Sequence, residues 1–455
     1  MAGWMDQVAR GMRRSLAGTG LLALLAPAGV LAQFGGPSQN APSPPSAAAG
    51  PGRTVPAEAT DTGAGGARQA LSMEDALRLA LANNRVLEAK EREVLAVRAN
   101  EVTAGLIPNP TLSPGMSNAF APNLGPPQYQ LTVAQPIELS GKRQRRIESA
   151  QAGSRASGYD LEDLRRVLTL QVKQAFTAIL VAKASAEQTQ LNLKTLDELE
   201  RLQRLRAEKG DLSELDLLRI QQQRFQFESD AADAQQALRQ AKVNLRQTIG
   251  RDIVAEDFDA SGKFALKEVR ARPDDLYRQA EERRADLKSA EAALEKARAD
   301  NRLAQAYAVP NIAPVLGVCW ADNNSCYGFV LGFSMDLPLF NRNQGEIQRT
   351  ARDAERVGAL TAFAHSQTRA DVDAALSQLE NVRIKLTALR DVYVPKATEI
   401  RGRVELAYRR GAASLLEFLD AERTYRAVTL ASISSQGNYD LAVYQLEAAI
   451  GGPLP

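Results

Sequence analysis

Large apolar side chains alternate with small or polar ones in two neighbouring segments of the C-terminal half of the chain. Such a period of two is typical of a β-strand with one apolar face. The N-terminal half carries a shorter and weaker pair of segments of the same kind. The pattern predicts four strands, and by itself it fits a soluble sheet packed on a helix as well as a sheet facing lipid. The large apolar positions are Leu112 and Met116; Tyr129, Leu131 and Val133; Ile312, Pro314, Leu316, Val318 and Trp320; and Tyr327, Phe329, Leu331, Phe333, Met335 and Leu337.

Most of the remaining chain follows a helical period. Residues 72–107 predict one helix, in which Ser72 followed by Asp75 resembles the start of a capping box. No proline occurs from Gly141 to Lys209, which predicts helix on the order of 100 Å long. A glycine-containing turn then leads into a helix ending near residue 247. The second half predicts the same order over 273–308, 343–410 and 414–449, and helices of this length do not form the core of a compact globule.

Four landmarks recur in the two halves at an offset of 201–202 residues. The constant offset predicts two tandem helix–strand–strand–helix repeats, at residues 72–250 and 273–451, joined by a linker at 251–272. The paired landmarks are Ile107-Pro108-Asn109 with Val309-Pro310-Asn311, Gln135-Pro136-Ile137 with Leu337-Pro338-Leu339, Gly210 with Gly411, and Thr248-Ile249-Gly250 with Ala449-Ile450-Gly451.

The N-terminus has the pattern of an export signal. Three arginines between residues 10 and 14 precede a short apolar stretch at 16–31, and Ala32 closes a small-residue cleavage site. We therefore expect residues 1–32 to be a signal peptide; a membrane anchor is the alternative, which Gly18, Gly20 and Pro27 disfavour. Residues 33–70 are rich in proline, glycine and alanine, which predicts a disordered linker.

The composition excludes several classes of function. Fifty-six basic and 54 acidic residues give a net charge of +2, which is too balanced for a nucleic-acid binder. One histidine and two cysteines leave no set of ligands for most metal centres, and the common motifs of nucleophilic, phosphate-binding and zinc-dependent enzymes are missing. The sequence therefore predicts neither an enzyme nor a bound cofactor or metal.

Four strands cannot close a barrel on their own, because the smallest closed barrels need about eight strands and open sheet edges are not tolerated in lipid. Export and strands of about ten residues favour an outer-membrane barrel. This interpretation requires an oligomer, and the long helices also need partners for their apolar stripes. A periplasmic coiled-coil scaffold without a barrel is the alternative, but it leaves the four alternating segments and the paired prolines unexplained.

The duplicated halves, the glycine-containing turns and the proline-flanked long helices resemble the TolC-type outer-membrane efflux factor family over about residues 72–451. Residues 135–143 (QPIELSGKR) are similar to the cobalt-zinc-cadmium (CzcC-like) branch, and residues 335–341 (MDLPLFN) to the family as a whole. The resemblance implies a mainly helical homotrimer with a twelve-stranded barrel in the outer membrane and a long helical tunnel in the periplasm. It also implies a periplasmic adaptor and an inner-membrane pump of the resistance-nodulation-division (RND) class as partners.

For function, the resemblance implies a passive duct that exports heavy-metal cations and performs no chemistry itself. Export of drugs or other organic compounds, or secretion of a protein, through the same architecture is the alternative. In the family the tunnel closes at its periplasmic turns, which here are Gly210 and Gly411, and these turns also dock the adaptor.

Four residues match the positions that line or latch this aperture in the family. Glu417 and Asp420 match acidic ring positions, Asp216 an acidic latch position, and Tyr408 a latch tyrosine. The latch arginine of the family falls at Ala413, which is a departure. The competing interpretation is that the three carboxylates are ordinary solvated helix residues.

Two prolines and two cysteines complete the candidate residues. Pro136 and Pro338 are expected to end strand pairing where the chain turns into a helix, because proline lacks an N–H and fixes φ. Cys319 and Cys326 flank a short hairpin loop, and in an exported protein this predicts a disulfide. Redox or metal chemistry at the two thiols is the alternative.

Overall fold

The computed structural model describes residues 70–117, 127–208, 214–269, 272–321 and 327–454. The predicted signal peptide and all but the last residue of the predicted linker lie outside these ranges. In chain order the elements are β1 (Ala70–Leu71), α1 (Met73–Asn83), α2 (Arg85–Gly105), β2 (Thr111–Ser117), β3 (Gln128–Ala134), α3 (Lys142–Glu208), α4 (Glu214–Ile249), β4 (Asp259–Ala260), α5 (Pro273–Arg283), α6 (Ala285–Tyr307), β5 (Ile312–Ala321), β6 (Tyr327–Met335), α7 (Gln344–Ala388), α8 (Val394–Arg409) and α9 (Leu415–Ala449).

The four longer strands form one antiparallel sheet in the order β2-β3-β5-β6, so the hairpins of the two halves join through β3 and β5. The helices that flank these strands in the chain lie in the matching order α2-α3-α6-α7, because α3 packs against both α2 and α6, and α6 packs against α7. Further along, α3 lies between α4 and α9, and α9 packs against α8. The short strands β1 and β4 pair in parallel and tie the linker to the start of the first half.

The first helix of each half is two helices, which corrects the prediction of single helices over 72–107 and 273–308. Asn84 takes an extended conformation between α1 and α2, and its side-chain oxygen accepts from the N–H groups of Val86 and Leu87. Asparagine is a strong N-cap, so it starts a new helix rather than continuing the old one. Arg284 makes the equivalent break without a side-chain cap. The predicted cap at Ser72 is confirmed, since its hydroxyl accepts from the N–H of Asp75.

The long helix of the first half is confirmed as α3, with 67 residues. Its counterpart at 343–410 is not continuous, because a π-helical turn at Leu389–Tyr393 separates α7 from α8. Pro395 lies two residues after this turn. Proline has no N–H to donate and would clash with the carbonyl four residues earlier, and the wider turn removes this conflict. The sequence prediction overlooked this proline.

Three apolar clusters hold the described residues together. The first joins α1, α3 and α4 with the linker around Phe176 and Phe258, the second joins α5, α7 and α9 around Leu276 and Leu446, and the third joins α3, α4, α8 and α9 around Phe418. Among the described helices, only α3 is long and apolar enough, over Lys142–Leu205, to cross a membrane by length and composition. Its apolar side chains are divided between the first cluster, which holds Phe176 and Ile179, and the third, which holds Leu196.

Candidate functional site

The four-stranded sheet has one continuous apolar face. The strand register places Leu316 opposite both Val133 and Leu331, and the other large alternating residues of the four strands lie in the same rows. These side chains are exposed, and that of Phe329 is 87% accessible. The predicted period of two is confirmed, and it leaves a broad apolar surface uncovered by the described residues.

Aromatic rings form a row across this face at one end of the sheet. Trp320 lies opposite Tyr129 on one side and Tyr327 on the other. The rings of Tyr129 and Trp320 stack, with centroids 5.8 Å apart. Aromatic residues with a polar edge are enriched where a membrane surface meets water. The row therefore has the composition of an interfacial belt.

The opposite face of the sheet is mostly small or polar. It includes Gln130, Thr132, Gly317, Cys319, Gly332 and Ser334. Cys319 lies in β5 opposite Gly328. Cys326 lies outside the described residues, so the disulfide stays a prediction. A sheet with one apolar and one polar face suits an environment that is lipid on one side and water on the other.

The two repeated prolines lie between a strand and a helix. Pro136 follows β3 and precedes α3, whereas Pro338 follows β6 and precedes α7. A left-handed residue starts each helix, with a φ of 68° at Gly141 and of 60° at Asn343. Both strand-to-helix connections thus combine a proline after the strand with a left-handed residue just before the helix.

Pairing between β3 and β5 does not end at Pro136, so the expectation that this proline ends the ladder is wrong on that side. The N–H groups of Gln135 and Ile137, on either side of it, donate to carbonyls of β5 at 3.2 and 2.8 Å. Because successive residues of a strand point their N–H groups to opposite edges, the missing N–H of Pro136 falls on the side of β2. Pairing with β2 does stop nearby, at Ala134.

The turn between α8 and α9, residues 410–414, is here called the distal turn. Gly411 takes a φ of 74°, and the N–H of Ala412 donates to the carbonyl of Ala407 at 2.8 Å. This is a Schellman cap, which needs a left-handed residue and so favours glycine. Ser414 then starts α9. The corresponding turn around Gly210 lies outside the described residues.

Glu417 takes part in the N-terminal cap of α9. Its carboxylate accepts from the N–H of Ser414 at 2.7 Å, and the Ser414 hydroxyl accepts from the N–H of Glu417 at 3.3 Å. The hydrogen bond from the Ser414 N–H lowers the pKa of Glu417, so its charge persists under mildly acidic conditions. Glu417 is therefore both a helix cap and an exposed negative charge next to the distal turn.

The other three candidates occupy different surroundings. Asp420 is exposed, with a carboxylate oxygen 3.7 Å from the guanidinium of Arg423. Tyr408 is buried in the third cluster, where its ring stacks on Phe418 at a centroid distance of 5.4 Å. Asp216 belongs to α4, but its side chain lies outside the described part of the chain. Arg409, next to Tyr408 in the sequence, pairs with Glu405 on its own helix.

Two arginine pairs that the sequence did not reveal link helices near this end of the protein. The Arg224 guanidinium on α4 lies 2.7 Å from Asp197 and 2.8 Å from Glu200, both on α3. Arg401 on α8 pairs at 2.5 Å with the buried Glu422 of α9. Within the described residues, no group of three or more histidine, cysteine, aspartate or glutamate side chains could hold a metal ion.

A buried aspartate ties the linker to α9. Asp440 is 3% exposed, and its two carboxylate oxygens accept from the N–H groups of Ala265 and Leu266 at 2.8 and 2.9 Å. Leu266 has a φ of 43°, which is unfavourable for a residue with a side chain. The aspartate therefore stabilises a strained linker conformation.

Burial raises the pKa of Asp440. A native pKa above the unfolded value means that this group stabilises the fold more at low pH, and that the stabilisation is lost as the pH rises through the interval between the two values. We expect the melting temperature of the wild type, relative to Asp440→Asn, to fall as the pH rises above about 4. Calorimetry in detergent across pH 4–7 measures this difference, and a constant difference contradicts the assignment.

Comparison with known proteins identifies the class. The family model described as "Outer membrane efflux protein" matches residues 76–251 and 276–452. The chain belongs to this family, whose members are channels of the outer membrane that extend into the periplasm.

Among curated proteins, the chain is 25% identical to the cobalt-zinc-cadmium resistance protein CzcC of Cupriavidus metallidurans, over 78% of this chain and 84% of that protein. It is 24% identical to the pyoverdine export outer membrane protein OpmQ of Pseudomonas aeruginosa, over 83% of each. The crystal structure of CusC shares the fold, with a TM-score of 0.73 at 20% identity, over 87% of this chain and 96% of that one.

Proposed function

We propose that the protein is the outer-membrane duct of a tripartite efflux system, and that it works as a passive homotrimer. The observation that carries this proposal is the four-stranded sheet with an exposed apolar face and two open edges. No further strand covers the outer edge of β2 or β6 among the described residues. In lipid, such edges must be paired.

Closure through copies of the same chain meets this requirement. The strands β2 and β6 run antiparallel, because three antiparallel pairings separate them. The β6 of one copy can therefore pair antiparallel with the β2 of the next, and three copies supply twelve strands. The polar faces then line the pore, and the apolar faces meet outer-membrane lipid.

The domain organisation follows from the same proposal. Residues 72–250 and 273–451 are two efflux-factor repeats, the linker spans 251–272, and residues 1–32 are the export signal. The family membership and the shared order of elements support this division. The turns at Gly210 and Gly411 would dock a periplasmic adaptor, which connects the duct to an inner-membrane RND pump.

At the aperture, Asp216, Glu417 and Asp420 would present acidic groups from each copy, and Tyr408 would brace the turn by packing. We expect the double variant Glu417→Gln/Asp420→Asn to lower the cation selectivity of single channels, because it removes the charges and leaves acceptors in place. Reversal potentials in planar bilayers under a salt gradient measure this. Glutamine can still accept from Ser414, so a selectivity equal to the wild type would assign Glu417 to capping alone.

For the substrate, we propose heavy-metal cations. The similarity to a cobalt-zinc-cadmium resistance protein supports this choice, together with the QPIELSGKR segment at 135–143. An organic substrate is the second candidate, because the similarity to a pyoverdine export protein is nearly as high.

The susceptibility of a deletion strain separates the two substrates. Zinc, cobalt, cadmium, nickel and copper are tested beside several hydrophobic drugs, with a plasmid copy of the gene as the control. Hypersensitivity confined to metals is the expected result. Hypersensitivity confined to drugs would keep the duct and overturn the substrate.

A further inference from the structure

The loop after β6, residues 337–343, presents three large apolar side chains to solvent. Leu337, Leu339 and Phe340 are 68%, 66% and 91% exposed. Two hydrogen bonds lie within the loop: the N–H of Leu339 donates to the carbonyl of Leu337 at 2.8 Å, and the Arg342 side chain donates to the carbonyl of Pro338 at 3.2 Å. A hydrogen-bonded loop that exposes several large apolar side chains to water indicates a protein–protein interaction surface.

The equivalent loop of the first half makes a contact of this kind within its own chain. Residues 135–141, at an offset of 202, contact the first residue of β5 in the same chain, next to the segment that joins α6 to β5. Ile137 exchanges two backbone hydrogen bonds with Ile312, at 2.8 and 3.3 Å. Just beyond the loop, Lys142 is 3% exposed, bonds the Asn311 side chain and lies over the ring of Tyr307.

In the second pairing the polar groups of both parts find partners in their own chain, for example the Gln344 side chain with the N–H of Arg342, but the large apolar side chains stay exposed. The segment equivalent to the α6–β5 connection is residues 105–109, between α2 and β2, where Leu106 and Ile107 are 60% and 63% exposed. Asn109, the counterpart of Asn311, and Gln344, the counterpart of Lys142, are both exposed. The loop at 337–343 follows the edge strand β6, and the segment at 105–109 precedes the other edge strand, β2. If β6 of one copy pairs with β2 of the next, the loop of the first copy therefore lies beside the segment of the second.

The residue sizes also fit. In the first contact, Arg146 pairs with Glu138 of the loop and bonds the bulky Tyr307 of the facing helix, which places these two positions close together. At an offset of 202, the loop supplies the bulky Phe340 and the helix supplies Gly105. A Cβ on Gly105 would meet nothing within 4 Å in its own chain, so the space beside it is open.

We infer that the loop at 337–343 of one copy docks on residues 105–109 of a second copy, with Phe340 seated beside Gly105 and Gln344 near Asn109. The inference rests on the proposed closure of the sheet through copies of the chain. It adds a contact between copies where the sheet meets the helices. A trimer would then have three contacts of this kind within chains and three equivalent contacts between neighbouring copies.

Disulfide trapping tests the contact. In a background with Cys319→Ser and Cys326→Ser, Asn109→Cys and Gln344→Cys are placed on separately tagged copies and expressed together. We expect a disulfide-linked species that carries both tags. The matched control replaces Gln344→Cys by Arg352→Cys, an exposed position two turns along α7, and should give none.

A size exchange gives the second readout. Gly105→Tyr should reduce the trimer fraction about tenfold, because the ring fills the seat of Phe340, whereas adding Phe340→Ala should restore it. If trimers form but the disulfide is absent and Gly105→Tyr is tolerated, the docking is overturned and the duct stands. If the wild type is monomeric, the proposed closure fails as well.

Discussion

Leu331→Arg is expected to abolish insertion in the outer membrane, whereas Gly332→Arg is expected to be tolerated. The two positions are adjacent in the middle of β6, and their side chains point to opposite faces of the sheet. An arginine on the lipid face near the mid-plane costs about 2–4 kcal/mol, and each trimer would carry it three times. On the other face the side chain reaches water, and a Cβ on Gly332 meets nothing within 4 Å.

Immunoblots of outer-membrane and soluble fractions measure the effect. Equal loss of both variants from the outer membrane would show that β6 tolerates no charge on either side. Normal levels of Leu331→Arg would contradict a lipid environment for the apolar face.

Gly437→Val is expected to lower the melting temperature of the detergent-solubilised protein by about 2–4 °C. Gly437 is buried on α9, where a Cβ would lie 2.1 Å from a methyl carbon of Val181 on α3. Valine is stiff in a helix, so the contact can be relieved only by moving the helices apart, at about 2–3 kcal/mol.

Gly402→Val is the matched control for this substitution. Gly402 lies on α8, and a Cβ there meets nothing within 4 Å, so the same change in helix propensity occurs without a clash. Its melting temperature should stay within about 1 °C of the wild type. Similar shifts in both variants would mean that propensity, rather than the close approach of α3 and α9, determines the result.

The sequence was informative wherever a period or a repeated landmark carried the structure. The alternation from Tyr327 to Met335 identified a strand and its apolar face, and the lack of proline after Gly141 identified α3. Local breaks were missed because each depends on one residue. Asn84 ends a helix by capping the next one, and Pro395 widens a turn, yet both interrupt otherwise regular helical patterns.

Contacts between distant parts of the chain were beyond the reach of the sequence. The pairs of Arg224 with Glu200 and of Arg401 with Glu422 join different helices, and no spacing within one helix reveals them. The capping role of Glu417 could have been predicted, because Ser414 followed three residues later by glutamate is a capping box.

Native mass spectrometry of the wild-type oligomer, extracted from outer membranes in mild detergent, gives the number of copies that close the barrel. We expect three copies of the processed chain, because four strands per copy leave two open edges that only neighbouring copies can pair in lipid. A stable monomer recovered from the same membranes would contradict this expectation.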